Sequence, residues 1–380
     1  MSGGVRASRH PEAGCPFQSP RRNGNILIEL AVIGCGHWGP NHIRVFNSLP
    51  DSRLGATVDI DAKRLRSVRE MYPELRYERD YRRILEDPSL DAVVVATPVS
   101  SHYKIVRESI LAGKHVLCEK PLCENSKQAE ELGSLALAKG RILMVGHVFL
   151  FNPGIMKLKE LVDIGELGEL QYLSASRANL GAFCNDINVA YDLATHDISI
   201  FNWLLAGEPE VVSATGASFV RSDIEDVAFI SMKYPGNVLA NIHVSWLDPK
   251  KVRQITVVGR RQMATWDDLQ PTSPIAIYDK GAMTVRDYGD YGEYLRLSTW
   301  EGDIRLPRVR PDEPLKLQAV QFLEWLRDGH VQNGHAGHCG SEFTLGIIRV
   351  LEAVDASMKK GGTPVAVGRK EGPRSPVRAT

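Results

Sequence analysis

The chain has 380 residues, with 46 Lys or Arg against 46 Asp or Glu, so its formal net charge is zero. At about 150 residues per domain the length allows two or three domains, and a composition 43% hydrophobic and 24% charged provides for a substantial core. Zero net charge argues against a polybasic nucleic-acid binder, and no run approaches the length of a membrane span.

The charge is uneven. Residues 1–25 carry Arg6, Arg9, Arg21 and Arg22 against Glu12, and residues 369–380 carry Arg369, Lys370, Arg374 and Arg378 against Glu371. Each end is therefore basic and the body between them mildly acidic. The first 25 residues are rich in Gly, Pro, Ser and Arg and have no helical or strand period, which reads as a disordered leader. An organelle transit peptide shares the Arg-rich composition but lacks these prolines. Residues 367–380 read as a disordered tail. Six cysteines in a chain of this length form no disulfide framework, which suggests a reducing, cytoplasmic setting.

The first ordered segment, residues 26–34, is apolar and β-branched, the pattern of a buried parallel strand. It runs into Gly34-Cys35-Gly36-His37-Trp38-Gly39, with helical sequence after it and a second strand at about 54–60. In a G-x-G-x-x-G turn so placed, Gly34 permits the tight turn and Gly36 the approach of a pyrophosphate. Gly39 lets the helix pack on the strand, and the helix N-terminus offers free N–H groups. His37 and Trp38 either touch the cofactor or fill the turn. Asp59, 20 residues beyond Gly39, is placed for the adenosine ribose and favours NAD over NADP. Asp61 is assigned to the cap of the next helix, 61–71.

Strands at 90–98, 115–121 and 141–149 alternate with helices near 80–86, 101–112 and 124–139. This predicts a doubly wound parallel sheet and a dinucleotide-binding domain over 26–146. Ligands in such sheets sit at the carboxyl ends of the strands. Those ends hold Thr97-Pro98 with His102 four residues on, and Glu119-Lys120-Pro121. A charged pair directly after an apolar strand is costly as buried structure. At the rim of a cofactor cleft, Lys120 can donate to a substrate hydroxyl and exchange a proton with it.

From residue 148 the pattern changes. A helix is expected after Asn152-Pro153, closing near Gly165. Extended stretches follow at 169–181, 210–220, 226–234, 237–247 and 252–260, with Pro235-Gly236 as a hairpin turn. Residues 191–207 read as a helix with Asp192 and His196 at i, i+4, where the carboxylate can orient the ring as in a general base. Asp197 points away around that helix and reads as structural. Residues 314–327 and 341–359 read as amphipathic helices. His335 and His338 lie in a glycine-rich loop without a carboxylate at ligand spacing, so no metal is expected.

The strand–GxGxxG–helix start, the Ala96-Thr97-Pro98 segment with its histidine, and the Glu119-Lys120-Pro121-Leu122 tetrad resemble the Gfo/Idh/MocA oxidoreductase family over roughly 26–366. The resemblance implies a Rossmann domain followed by an α/β domain, 147–366, on a large, open, mostly antiparallel sheet, its last helix packing back on the first domain. It implies that Thr97, Pro98, His102, Glu119 and Lys120 lie near the nicotinamide. It also implies that Lys120, Asp192 and His196 face a reacting sugar hydroxyl. Residues 146–170, 176–181 and 188–200 look like the branch that oxidises C3′ of UDP-N-acetylglucosamine or its uronic acid. There Arg177 and Asn179 would face the nucleotide sugar, and an aminotransferase would take the keto product. An open sheet face implies a homo-oligomer, dimer or tetramer. Whether Lys120 or His196 is the base stays open. The rival readings are an NAD(P)H-dependent ketoreductase of a nucleotide deoxysugar, a polyol or inositol dehydrogenase, and a non-catalytic NAD-sensing regulator.

Overall fold

The computed structural model describes residues 27–368 apart from 182, 185, 290–291, 330 and 332–336. The leader and nearly all of the tail, and His335, lie outside the described residues.

Six parallel strands form the first sheet: β1 (Ile28–Ile33), β2 (Ser52–Val58), β3 (Arg76–Glu78), β4 (Ala92–Val95), β5 (His115–Glu119) and β6 (Leu143–Gly146). Their order is β3-β2-β1-β4-β5-β6, the doubly wound arrangement with its crevice where the order reverses between β1 and β4. The central strands are buried on both faces, which is why their sequences are unbroken apolar runs. Helices α1 (Gly39–Ser48), α2 (Ala62–Met71), α3 (Arg82–Leu85), α4 (Val99–Leu111) and α5 (Ser126–Ala138) make the crossovers. Asp61 caps α2 as expected, accepting from the Lys63 amide at 2.7 Å. The apolar run expected as a strand to 149 leaves the sheet at Gly146 and turns into a short 3-10 helix, Val148–Phe151.

After α6 (Pro153–Asp163), capped by the Asn152 side chain, come the nine strands of a second sheet. β7 (Leu170–Leu180) lies at its centre, beside β10 (Leu239–Ser245) in parallel and β11 (Leu247–Gly259) in antiparallel register. β8 (Val211–Ala217) and β9 (Val227–Lys233) complete one flank, and a two-residue β15 (Val365–Ala366) closes that edge. The other flank, β12 (Met263–Asp267), β13 (Ile275–Gly289) and β14 (Gly292–Arg305), ends in a long hairpin for which sequence reading assigned no strands.

The sheet is one-sided. Along β9, Ala228, Ile230 and Met232 are buried beneath the helices while Phe229 is 56% exposed on the other face, stacked on His243. Tyr172 and Leu239 share that uncovered face. α7 (Thr195–Leu204), α8 (Pro314–Asp328) and α9 (Ser341–Lys359) follow the predicted helices, and α9 joins the two sheets. Its Glu352 accepts from the Ser126 amide at the start of α5, and its Ser357 bonds the Ala214 amide in β8. No described helix is long and apolar enough to cross a membrane.

Candidate active site

The glycine turn has the shape a pyrophosphate requires. Gly34 has φ 104°, and its amide donates to the Val58 carbonyl at 2.7 Å. A Cβ on Gly39 would lie 1.9 Å from the Gly34 carbonyl oxygen, so α1 starts in direct contact with the turn. No side chain caps α1 and no acidic residue stands in its first turn, which leaves its N-terminal amides open to an anion. Gly36 has room on its open side, where only the Arg64 guanidinium comes near. These features fit NAD. Gly39→Ala is expected to push the helix off the strand at a cost of about 1–3 kcal/mol. A thermal melt and an NAD titration would register it as lost stability and at least about tenfold weaker binding; unchanged affinity would detach the cofactor from this turn.

Asp59 is buried at the end of β2, its oxygens accepting from the Cys35 amide at 2.7 Å and the Asp61 amide at 2.8 Å. His37 is exposed, whereas Trp38 packs partly buried against the core. Thr97 and Pro98 remain accessible at the end of β4.

The reacting end is built around Lys120. Its side chain is 9% exposed, and its ammonium donates to both the Asp192 carbonyl at 2.7 Å and the Asp192 carboxylate at 3.1 Å. The other Asp192 oxygen accepts from the Trp246 indole at 3.2 Å. Here the structure departs from the sequence argument. Residues Ala190–Ala194 form a π-helical turn rather than α-helix, so the i, i+4 geometry does not hold and Asp192 turns to Lys120 instead of orienting His196. The His196 Nδ1 is buried and has no hydrogen-bond partner among the described residues. Burial first, then the nearby Lys120, Arg177, His147 and Arg253 charges, holds its pKa well below the ordinary value, so the ring is neutral near pH 7.

Three expected contact residues are otherwise employed. Glu119 is buried against His42 of α1 at 2.7 Å, fastening the helix of the glycine turn to the strand that carries Lys120. His102 is 1% exposed, its ring held between the Pro121 and Thr97 carbonyl oxygens at 2.9 and 2.8 Å. It thereby staples the ends of β4 and β5 instead of presenting itself to a ligand. Arg177 is 2% exposed, and its Nε and Nη2 donate to Asp197 at 3.0 and 2.8 Å. A guanidinium so buried and paired is no open phosphate clamp. It supports the site instead, lying over Phe149 at 4.3 Å, whose ring meets His196 edge-on at 4.8 Å. Asp197 is structural, as its position on the helix implied. Asn179 is partly exposed near the end of β7.

Sequence reading missed His42, Trp246, Phe149 and Arg253. His42 follows Gly39 by three residues, a spacing that puts it on the inner face of α1. The others come from distant strands or loops and carry no local signal. His338, in the glycine-rich loop before α9, stacks on Trp203 at 5.3 Å, and burial pushes its pKa down to about 4. Beside Pro121 opens a cavity of about 350 Å³ whose lining includes Glu124, Asp186, Tyr191, Glu225 and Asp355. Asn188 bridges the last two carboxylates at 3.0 Å each.

Residues 28–147 match the model of an oxidoreductase family with an NAD-binding Rossmann fold, Gfo/Idh/MocA, and residues 155–265 match the C-terminal domain of the same family. The UDP-N-acetylglucosamine 3-dehydrogenase of Acidithiobacillus ferrooxidans is 30% identical over 261 residues, covering 68% of this chain and 80% of the relative. Its solved structure superposes with a TM-score of 0.73 at 25% identity, over 88% of this chain and 98% of that one. The myo-inositol 2-dehydrogenase of Thermotoga maritima is 28% identical over 265 residues, 67% of this chain and 79% of the relative. With a parallel NAD-binding sheet, a one-sided antiparallel sheet and Lys120 at the end of β5 paired with Asp192, this chain is an NAD-binding dehydrogenase and belongs to the Gfo/Idh/MocA oxidoreductase family.

Proposed function

We propose that the chain oxidises the C3′ hydroxyl of a UDP-N-acetylhexosamine, UDP-N-acetylglucosamine or its uronic acid. The observation that carries the chemistry is the Lys120–Asp192 pair near a neutral His196 whose Nδ1 has no hydrogen-bond partner among the described residues. Likeness to the UDP-N-acetylglucosamine 3-dehydrogenase supports the sugar. Bound NAD supplies the hydride acceptor. Lys120, positioned by the carboxylate and carbonyl of Asp192, donates to the hydroxyl oxygen and stabilises the charge that develops there. His196, neutral, takes the proton. Trp246 and Arg177 act through others, the first by fixing Asp192 and the second by fixing Asp197 and the Phe149 ring.

In this reading the uncovered sheet face with Tyr172, Phe229 and Leu239 joins copies of the chain into a homo-oligomer. An aminotransferase consumes the keto product in the cytoplasm. A polyol or inositol substrate is the second reading, favoured by the carboxylate-lined cavity beside Pro121, which would repel a diphosphate but accept a neutral, hydroxyl-rich ring. A screen for NADH absorbance over UDP-sugars and free inositols decides between them. Turnover of a UDP-N-acetylhexosamine is expected, and turnover confined to free inositols would replace the first reading with the second.

A further inference from the structure

Lys120, Arg177 and Arg253 are cations whose charge bears on His196, and the first two are committed. Lys120 is taken up by the carbonyl and carboxylate of Asp192, and buried Arg177 by both oxygens of Asp197. Arg253 stands on β11 as the register partner of Arg177 on β7. Its guanidinium lies over the same Phe149 ring, at 5.7 Å against 4.3 Å for Arg177, and that ring meets His196 edge-on at 4.8 Å. The two arginines differ in what they have left to give. The Arg253 side chain is 35% exposed, that of Arg177 3%. Arg253 donates from Nη1 to Asp268 at 3.1 Å, while its Nε and Nη2 have no hydrogen-bond partner among the described residues. Asp268 is held independently, its amide donating to the Arg253 carbonyl at 3.0 Å and its other oxygen accepting from the Asn152 amide group at 3.2 Å. The pair therefore tethers the guanidinium by one corner and leaves the Nε–Nη2 edge unclaimed, the same edge with which Arg177 grips Asp197.

We propose that Arg253 binds an oxyanion of the substrate, a carboxylate or a phosphate, through that edge, and so sets a preference for an anionic sugar over a neutral polyol. The inference rests on the reading of the substrate as a UDP-N-acetylhexosamine or its uronic acid. A planar guanidinium with two parallel donors matches either oxyanion in bidentate fashion. Partial burial beside an aromatic ring strengthens such a pair relative to one in open water. Two oxyanions are available on these substrates: the diphosphate, which both sugars carry, and the C6 carboxylate, which belongs to the uronic acid alone.

The test is steady-state kinetics of the NAD-loaded chain at about pH 8, where His196 is neutral with or without Arg253, on UDP-N-acetylglucosamine, its uronic acid and free myo-inositol. The unaltered chain is expected to turn over at least one UDP-sugar; turnover confined to inositol overturns the substrate reading and this inference together. With a UDP-sugar turned over, Arg253→Met is expected to raise its KM by about tenfold or more while kcat stays within about threefold. A rise for both sugars assigns the guanidinium to the diphosphate, and a rise for the uronic acid alone assigns it to the carboxylate. Arg253→Lys, which keeps the charge without the fork, should raise KM by about threefold or more, and it carries the test if an NAD titration shows the methionine variant unfolded. Asp268→Asn releases the tether and leaves the cation, so KM should stay at or below normal. A KM unchanged by loss of the Arg253 guanidinium overturns the inference and leaves the substrate reading standing. So does a KM raised as far by Asp268→Asn as by Arg253→Met, which is the mark of a merely structural pair.

Discussion

Lys120→Met is expected to lower turnover by about 10³-fold while NAD affinity stays within a few-fold of the unaltered chain. The Lys120 ammonium is the cation fixed at the end of β5 by two contacts with Asp192, and methionine keeps its length without a charge or a donor. The glycine turn and Asp59 are untouched by the change, which is why cofactor binding should survive. His196→Ala should cost about 10²–10⁴-fold if that ring receives the proton. The two variants then differ in pH dependence. With its pKa held below 6.5, His196 stays neutral through the mildly acidic range, so the acid limb of the unaltered profile should fall below pH 6.5. The neutral form is the active one, and turnover drops as pH falls through the depressed pKa. The limb should persist in Lys120→Met, moved upward because the adjacent cation that depresses the imidazole is gone, and vanish in His196→Ala. Stopped-flow measurement of NADH formation between pH 4.5 and 8 checks both. Turnover within tenfold of normal in either variant removes that residue from the mechanism.

Much of this site was legible because its signals are local. The strand, glycine turn and helix at 28–48 are contiguous, and each glycine has a backbone reason visible in the spacing. Lys120 was visible because a charge ending an apolar strand needs an explanation. The departures share one feature: the partner that holds the side chain lies on another element. Asp192 and His196 were paired by α-helical arithmetic, and a single π turn redirected Asp192 to a lysine 72 residues away. Arg177 was expected to face the nucleotide sugar by resemblance to that branch, yet its partner Asp197 stands on a helix the sequence could not place against β7. Glu119 and His102 stand at the strand ends where they were expected, but their hydrogen-bond partners, His42 of α1 and the Pro121 and Thr97 carbonyls, had no local signal. The β13–β14 hairpin went unassigned because its strands mix glycines and charges with the apolar alternation that marks a covered face.

The Arg177 assignment can be tested apart from catalysis. Arg177→Ala would leave the Asp197 carboxylate buried and uncompensated, and is expected to destabilise the chain by about 3–5 kcal/mol. It would also remove the nearer of two guanidiniums, Arg177 and Arg253, from the Phe149 ring that borders His196. Turnover should therefore fall in the single variant whether or not Arg177 touches substrate, and that measurement alone says little. The double variant Arg177→Met with Asp197→Leu separates the two roles, because replacing both members of a buried pair with apolar side chains of similar volume is often neutral or stabilising. If the arginine is a positioning residue, the double variant recovers its denaturation midpoint and its KM for the sugar stays within about threefold of normal. If the guanidinium binds the substrate's phosphate or carboxylate, stability returns but KM remains raised by about tenfold or more, because the anion has lost its partner. The buried geometry, with two donors held by Asp197 at 2.8 and 3.0 Å, commits to the first outcome.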